Sequence, residues 1–298
     1  MRAARYHQYG DPSVLRVEDA PEPHAGPGTV RIRTIAVSVN PVDWKLRSGA
    51  AQQWLPLEFP VIPGRDAAGV VDEVGEGAEG VAVGDLVFGM GGVSDTSSEY
   101  SVLSAWAPVP EGWTPEQAAS AGLAATTAVP ALAALGELDG RTLVINGASG
   151  AVGSAAAVIA VAAGARVIGT ASERNHDYLT SLGVTPVTYG DGLAERIGTA
   201  DLALDAAGHG ALPQLIALTG STDRVVTVAD QQAAGELGVR VADAVNDSGA
   251  LRTAARLGAE GTYLPRVDTV LPLEQIEQAH RLAESGTNAG KIVLRIAD

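Results

Sequence analysis

The spacing of apolar and polar residues changes once along the chain. Through about residue 112, short runs rich in β-branched residues lie between clusters of Gly and Pro. Thr29–Val39, Gly69–Val74 and Asp85–Phe88 alternate or bunch their apolar positions. Pro21-Glu-Pro23, Gly26-Pro-Gly28, Val83-Gly-Asp85 and Gly89–Gly92 mark the loops. This pattern predicts an irregular, mostly β domain. From about residue 113, short apolar strands alternate with Ala-rich helical stretches. Strands are expected over Arg141–Asn146, Arg166–Ala171, Thr185–Tyr189, Asp201–Ala206, Arg224–Ala229 and Val239–Ala242. Helices are expected from the Gly147–Gly153 loop through Ala163, and over Asn175–Leu182, Leu193–Ile197 and Ala211–Leu218. Such βαβ repetition predicts an α/β fold with a doubly wound parallel sheet of the Rossmann type. Leu251–Leu257 and Leu273–Glu284 read as amphipathic helices, and Lys291–Ile296 as a last strand that returns to the first domain. The expected division is 1–112, completed by 265–298, and 113–264.

Composition narrows the chemistry. A chain of 298 residues suits two domains of roughly 150 residues each. It has no Cys, which removes disulfides, thiolate metal sites and cysteine nucleophiles together. Five histidines remain (His7, His24, His176, His209 and His280), none paired at helical spacing, so no metal site is expected. His7, His24, His176 and His280 read as surface or helix-face residues. The net charge is −15 without a basic cluster, which argues against nucleic acid. Among 20 Lys and Arg residues only Lys45 and Lys291 are lysines. The N-terminus lacks the apolar core of a signal peptide. The longest apolar run, Ala155–Ala163, falls short of the ~18 residues of a membrane span. A soluble, cytoplasmic protein without membrane partners is therefore expected.

The clearest motif is Gly147-Ala-Ser149-Gly150-Ala151-Val152-Gly153, placed after one predicted strand and opening a predicted helix. In this setting one glycine allows the tight turn, one lets backbone approach a pyrophosphate, and one lets helix and strand pack closely. The helix N-terminus turns free N–H groups toward the phosphates. At the end of the next strand, where an acidic residue would bind the ribose of NAD, stands Ser172, followed by Glu173, Arg174 and Asn175. A hydroxyl, a guanidinium and an amide favour the 2′-phosphate of NADPH. Glu173, turned inward, would favour NAD instead. Tyr189 could add a hydroxyl to the same phosphate.

These stretches resemble, over essentially the full chain, the zinc-free quinone oxidoreductase branch of the medium-chain dehydrogenase/reductase superfamily. The resemblance rests on Ser38–Arg47, Phe59–Val71, Val83–Phe88, Asn146–Gly153, Gly169–Tyr178 and Gly290–Leu294, in that order. It implies that the first domain is GroES-like and catalytic. It also implies NADPH-dependent reduction of a quinone, or of the C=C bond of an α,β-unsaturated carbonyl. Zinc-dependent relatives carry Gly-His-Glu where this chain has Gly64-Arg65-Asp66. By the same resemblance Asn40, Asp43 and Lys45 belong to the substrate segment, and Thr127 meets the nicotinamide end. Ala207, in Asp205–Gly208, and Ala229, in Val228–Asp230, line the nicotinamide ribose. Two departures stand out: Ala151 replaces a Gly of the fingerprint, and Pro130 is expected to interrupt a helix.

Without a metal, a cation or hydrogen-bond donor must stabilise the substrate oxygen as hydride arrives. Lys45 is the candidate, against the alternative of a surface lysine. Asn40 either fixes its loop or donates to the same oxygen, and Asp43 orients. Trp44 and Trp54 could face an aromatic substrate or pack in the core. Three functions are open: an enone or quinone reductase, a biosynthetic enoyl reductase on the same scaffold, or a non-catalytic NADPH-binding regulator. The expected partner is a small-molecule substrate, with a homodimer possible because relatives often pair.

Overall fold

The structure is a computed structural model that describes residues 1–53, 55–190 and 192–297. It begins with β1 (Arg2–Arg5), β2 (Arg16–Asp19), β3 (Val30–Val39), α1 (Pro41–Ser48), β4 (Asp66–Val74), β5 (Leu86–Met90), β6 (Tyr100–Leu103) and β7 (Ala105–Pro108). Next come α2 (Pro115–Leu135), β8 (Thr142–Asn146), α3 (Ala151–Ala162), β9 (Arg166–Ala171), α4 (His176–Ser181), β10 (Thr185–Thr188), α5 (Leu193–Ile197) and β11 (Leu202–Asp205). The chain closes with α6 (Leu212–Thr219), β12 (Val225–Thr227), α7 (Gln231–Leu237), β13 (Arg240–Val241), α8 (Ser248–Ala259), β14 (Val267–Pro272), α9 (Ile276–Ser285) and β15 (Lys291–Arg295). Two compact units result. One comprises Met1–Leu123, Asn246–Ala259 and Leu264–Asp298, the other Ala124–Val245 and Glu260–Tyr263.

The first unit is built on a seven-stranded sheet in the order β14-β15-β3-β4-β5-β7, with β6 also on β3. All of its pairings are antiparallel except β14 with β15. β3 shows why the sequence pattern changes along one strand. Val30, Ile32 and Thr34 are buried while Arg31 and Arg33 are not, giving the two-residue period of a half-covered strand. From Ala36 to Val39 every residue is buried, because β15 pairs along that stretch. The amphipathic α9 sets Ile276 and Ala279 against Ile32, Val37, Leu103, Ile292 and Leu294. Each large aliphatic side chain so buried contributes about 1.5–3 kcal/mol. Its outer face carries Glu277 and Arg281, 2.7 Å apart at i,i+4 spacing. Three positions differ from expectation. β4 begins at a buried aspartate, Asp66, three residues before the predicted strand. Gly89 lies inside β5 and not in a loop. His280 is buried in α9 and does not lie on an open helix face.

The second unit holds a six-stranded sheet in the order β10-β9-β8-β11-β12-β13, every pair parallel. This is the doubly wound arrangement: the strand order reverses between β8 and β11, which opens a crevice at their carboxyl ends. Its core gathers Val144, Ala203, Leu212, Leu215, Val225 and Ala234.

Pro130 does not interrupt α2, which runs unbroken from Pro115 to Leu135. A helical proline leaves the carbonyl four residues earlier without its N–H donor. Here that carbonyl, Thr126 O, accepts from Val245 N at 3.0 Å. The loop after β13 thus supplies the bond that Pro130 removes. α2 is also long and apolar enough, by length and composition, to cross a membrane, and most of it is buried inside the protein. A core helix passes the same test.

Candidate functional site

The glycine-rich motif forms the turn from β8 into α3. Gly147 has φ +74°, and a Cβ there would stand 2.5 Å from the Ala207 Cβ. At Gly153 a Cβ would lie 2.2 Å from Gly147 O. Only glycine fits either place. Gly150 is the N-cap of α3, is exposed, and brings no side chain to the helix end. No acidic residue occupies the first turn of α3. Ala151 and Val152 open the helix, and both are partly exposed. The result is a helix N-terminus whose N–H groups are left for an anion.

Beneath this turn a buried polar chain links four adjacent strands at their carboxyl ends. The Thr170 hydroxyl donates to Asn146 Oδ1 at 2.8 Å, and Asn146 Nδ2 donates to Asp205 Oδ1 at 2.9 Å. The Thr227 hydroxyl donates to Asp205 Oδ2 at 2.8 Å. Asp205 also accepts from the N–H groups of Ala207 and Gly208, and Thr227 Oγ1 from those of Ala229 and Asp230. One carboxylate and one hydroxyl therefore shape the two loops that carry Ala207 and Ala229. Ala207 and Ala229 are both partly exposed, whereas Thr127, on α2, is nearly buried. His209, between Gly208 and Gly210, is exposed and has φ +58°.

At the end of β9 the expected phosphate-reading residues come together. Asn175 Nδ2 donates to Ser149 Oγ at 3.3 Å and to Ser172 Oγ at 3.2 Å. Arg174 and Glu173 are exposed in a 3-10 turn beside them. Tyr189 lies at 60% exposure just past β10. The donors match a dinucleotide: open N–H groups at α3, and two hydroxyls, an amide and a guanidinium one strand away.

The first unit carries a second polar cluster, around the start of α1. Asn40 is the N-cap of that helix, and Asp43 Oδ2 accepts from Asn40 N at 2.7 Å. Asn40 and Asp43 form the capping box of α1. The Asn40 side chain also reaches β4 and β15. Its Nδ2 donates to Asp66 Oδ1 at 2.9 Å, and its Oδ1 accepts from Lys291 Nζ. Asp66 also accepts from the Ser38 hydroxyl at 2.6 Å and from Leu123 N at 2.8 Å. Asp43 Oδ1 is buried without a partner. Burial pushes the Asp43 carboxyl up to about 7, with Asp66 adding to the rise and the Asn40 N–H and Lys291 opposing it. Burial likewise holds the Lys291 ammonium below the usual lysine range. Asn40 and Asp43 are thus brought together. Lys45 lies on the exposed side of α1 with its Nζ 5.8 Å from the Trp44 ring centroid. Trp44 is half-buried, and Trp54 lies outside the described residues. Lys291 was missed by sequence reasoning. Its signal was present, since a lysine opens the otherwise apolar run Lys291-Ile-Val-Leu294.

The sequence has no Cys, and among the described residues no group of three or more His, Cys, Asp or Glu side chains is placed to hold a metal ion. Arg65 stands beside Asp66 with its Nε buried and unpartnered.

Residues 26–131 match the family described as "Alcohol dehydrogenase GroES-like domain", and residues 182–294 the family described as "Zinc-binding dehydrogenase". The chain is 35% identical over 201 residues to a chloroplast envelope quinone oxidoreductase homolog of Arabidopsis thaliana. That match covers 63% of this chain and 60% of the relative, so the chain spans less than two thirds of that relative's length. It is 29% identical to a quinone oxidoreductase of Homo sapiens, over 99% of this chain and 97% of the human one. Among solved structures it is similar to the quinone oxidoreductase from Coxiella burnetii. The TM-score is 0.84 at 27% identity, covering 100% of this chain and 99% of that one.

Proposed function

Because the chain belongs to the medium-chain dehydrogenase/reductase superfamily, we propose that it reduces a quinone, or the C=C bond of an α,β-unsaturated carbonyl, with NADPH and without zinc. The cofactor supplies hydride when bound. The rest of the chemistry falls to side chains of this chain.

One observation carries the cofactor reading: Asn175 ties Ser149 of the phosphate loop to Ser172 at the end of β9, with Arg174 beside them. Ser149, Gly150, Ala151, Val152 and Gly153 would hold the pyrophosphate. Ser172, Arg174 and Asn175 would hold the 2′-phosphate, and Tyr189 lies free to swing onto it. A charge-assisted bond from Arg174 is about twice as strong as a neutral one. Ala207, Ala229 and Thr127 would border the nicotinamide, on loops fixed by Asp205 and Thr227. In the first unit, Asn40 and Asp43 would face the substrate, and Lys45 is free to bring its ammonium to the substrate oxygen. The quinone oxidoreductases among the relatives support this substrate class.

The test is NADPH oxidation followed at 340 nm with a panel of small quinones and enones, repeated with NADH. Turnover of several substrates, with NADPH clearly preferred, supports the proposal. Equal efficiency with NADH refutes the assignment of Ser172 and Arg174. Tight NADPH binding without turnover of any substrate would favour the biosynthetic or regulatory readings.

A further inference from the structure

We propose that Lys291 is a positioning residue of the substrate segment: its ammonium fixes the Asn40 carboxamide and places positive charge beside the Asp43 and Asp66 carboxyls. Its bearing on turnover rests on the reductase reading above.

The geometry carries it. Lys291 is 8% exposed, Asn40 2%, Asp43 1% and Asp66 0%. Two carboxylates and one ammonium are thus withdrawn from water in one cluster drawn from α1, β4 and β15. Such a set persists only where charges pair and hydrogen bonds satisfy them. Asn40 is the hinge. Its Oδ1 takes a proton donor from Lys291 while its Nδ2 gives one to Asp66 Oδ1 at 2.9 Å. Flipping the amide would set oxygen against carboxylate and NH2 against ammonium, so one orientation is enforced. The same asparagine caps α1: Asn40 and Asp43 form a capping box, with the Asp43 carboxylate accepting from Asn40 N at 2.7 Å.

Lys291 also has a donor to spare. Asn40 Oδ1 and Val39 O, the latter at 3.4 Å, take two of its three N–H groups, and no described residue takes the third. The ionisable groups that face Asp43 are Asp66 and Arg65 from the β4 side, Lys291 from β15, and Tyr6 beyond β1. Of the two cations among them, only Lys291 contacts the residue that caps Asp43's own helix. It therefore couples the orientation of Asn40 to the charge on Asp43.

The chain contains only two lysines, so 15N-lysine labelling gives two side-chain Nζ signals, and Lys291→Arg assigns them. In the wild type the Lys291 signal should show an inflection near neutral pH as Asp43 ionises. In Asp43→Asn that inflection should vanish, while the exposed Lys45 signal stays put. Turnover supplies the second arm. In Lys291→Met the limb of the kcat/KM profile set by Asp43 should move up by about one pH unit or more, a tenfold change in proton affinity. Lys291→Gln should match Lys291→Met, and Lys291→Arg should restore the wild-type profile. A Lys291 signal indifferent to Asp43→Asn overturns the proposal. So do Met, Gln and Arg variants that share one pH profile. A wild type that turns over no quinone or enone refutes the reductase reading alone, because the labelled-lysine titration still decides the coupling.

Discussion

Replacing Asp43 by Asn and His280 by Leu is expected to tilt the pH dependence of stability in opposite directions. Both groups are buried in the first unit, and each departs far from its ordinary value. Burial raises the Asp43 carboxyl from 3.8 to about 7, so between those values the folded state holds a proton that the unfolded chain releases. That contribution favours folding in acid and is lost as pH rises toward 7. Burial, with Arg47 adding to it, lowers the His280 imidazole from 6.5 to about 3. Over that interval the unfolded chain binds the extra proton, so stability is lost as pH falls. The two intervals overlap from about pH 4 to 6.5, where the slopes oppose each other at ~1.4 kcal/mol per pH unit. The wild type should therefore be nearly flat across that range. Asp43→Asn should gain about 3 kcal/mol between pH 4 and 6.5, and His280→Leu should lose about as much over the same span. Urea unfolding at half-unit pH steps measures this, with midpoints expected to move by about 1–2 M. The probe suits the question, because Trp44, Trp106 and Trp113 lie in the first unit and no tryptophan follows residue 113. Slopes of the same sign in the two variants, or a wild-type slope unchanged by Asp43→Asn, would refute the reasoning.

Three further outcomes are expected. Arg174→Ala should raise KM for NADPH about 10- to 100-fold, the loss of one charged hydrogen bond, with KM for NADH unmoved in parallel assays. Gly153→Val should abolish NADPH binding by fluorescence titration, because even a Cβ would stand 2.2 Å from Gly147 O. Lys45→Ala should leave stability within about 0.5 kcal/mol, as befits an exposed side chain. It should lower kcat/KM on an enone at least about tenfold, and full retention of kcat/KM removes Lys45 from the proposal.

The second unit was legible because its strands are bounded by glycine and its helices are uniform in composition. β8, β9, β11 and β12 fall within the predicted runs, and α3 starts where the glycine motif places it. What escaped did so for local physical reasons. α1 has few apolar residues and is defined by its caps, Asn40 before it and Gly49 after it, so periodicity could not reveal it. Pro130 read as an interruption because the donor that compensates for it, Val245 N, is 119 residues past the carbonyl it serves, Thr126 O. The cluster around Asn40 was half visible. Asn40 and Asp43 share one segment, but Asp66 and Lys291 reach them only through sheet pairing of β3 with β4 and β15. Lys291 and Asp66 could not be tied to Asn40 before the strand pairing was known.

The bridge from Asn175 to Ser149 and Ser172 has a consequence for redesign. The side chain that stands where the 2′-position of the ribose would be read is tied to one that lines the pyrophosphate turn. A substitution at Ser172 meant to change coenzyme preference therefore also frees Asn175 and loosens its hold on Ser149. On the proposed reading, preference and overall affinity would share one amide. On that reading, a route from one coenzyme to the other would have to alter residues 149, 172 and 175 as a set, since any single step would give up grip before it gained selectivity.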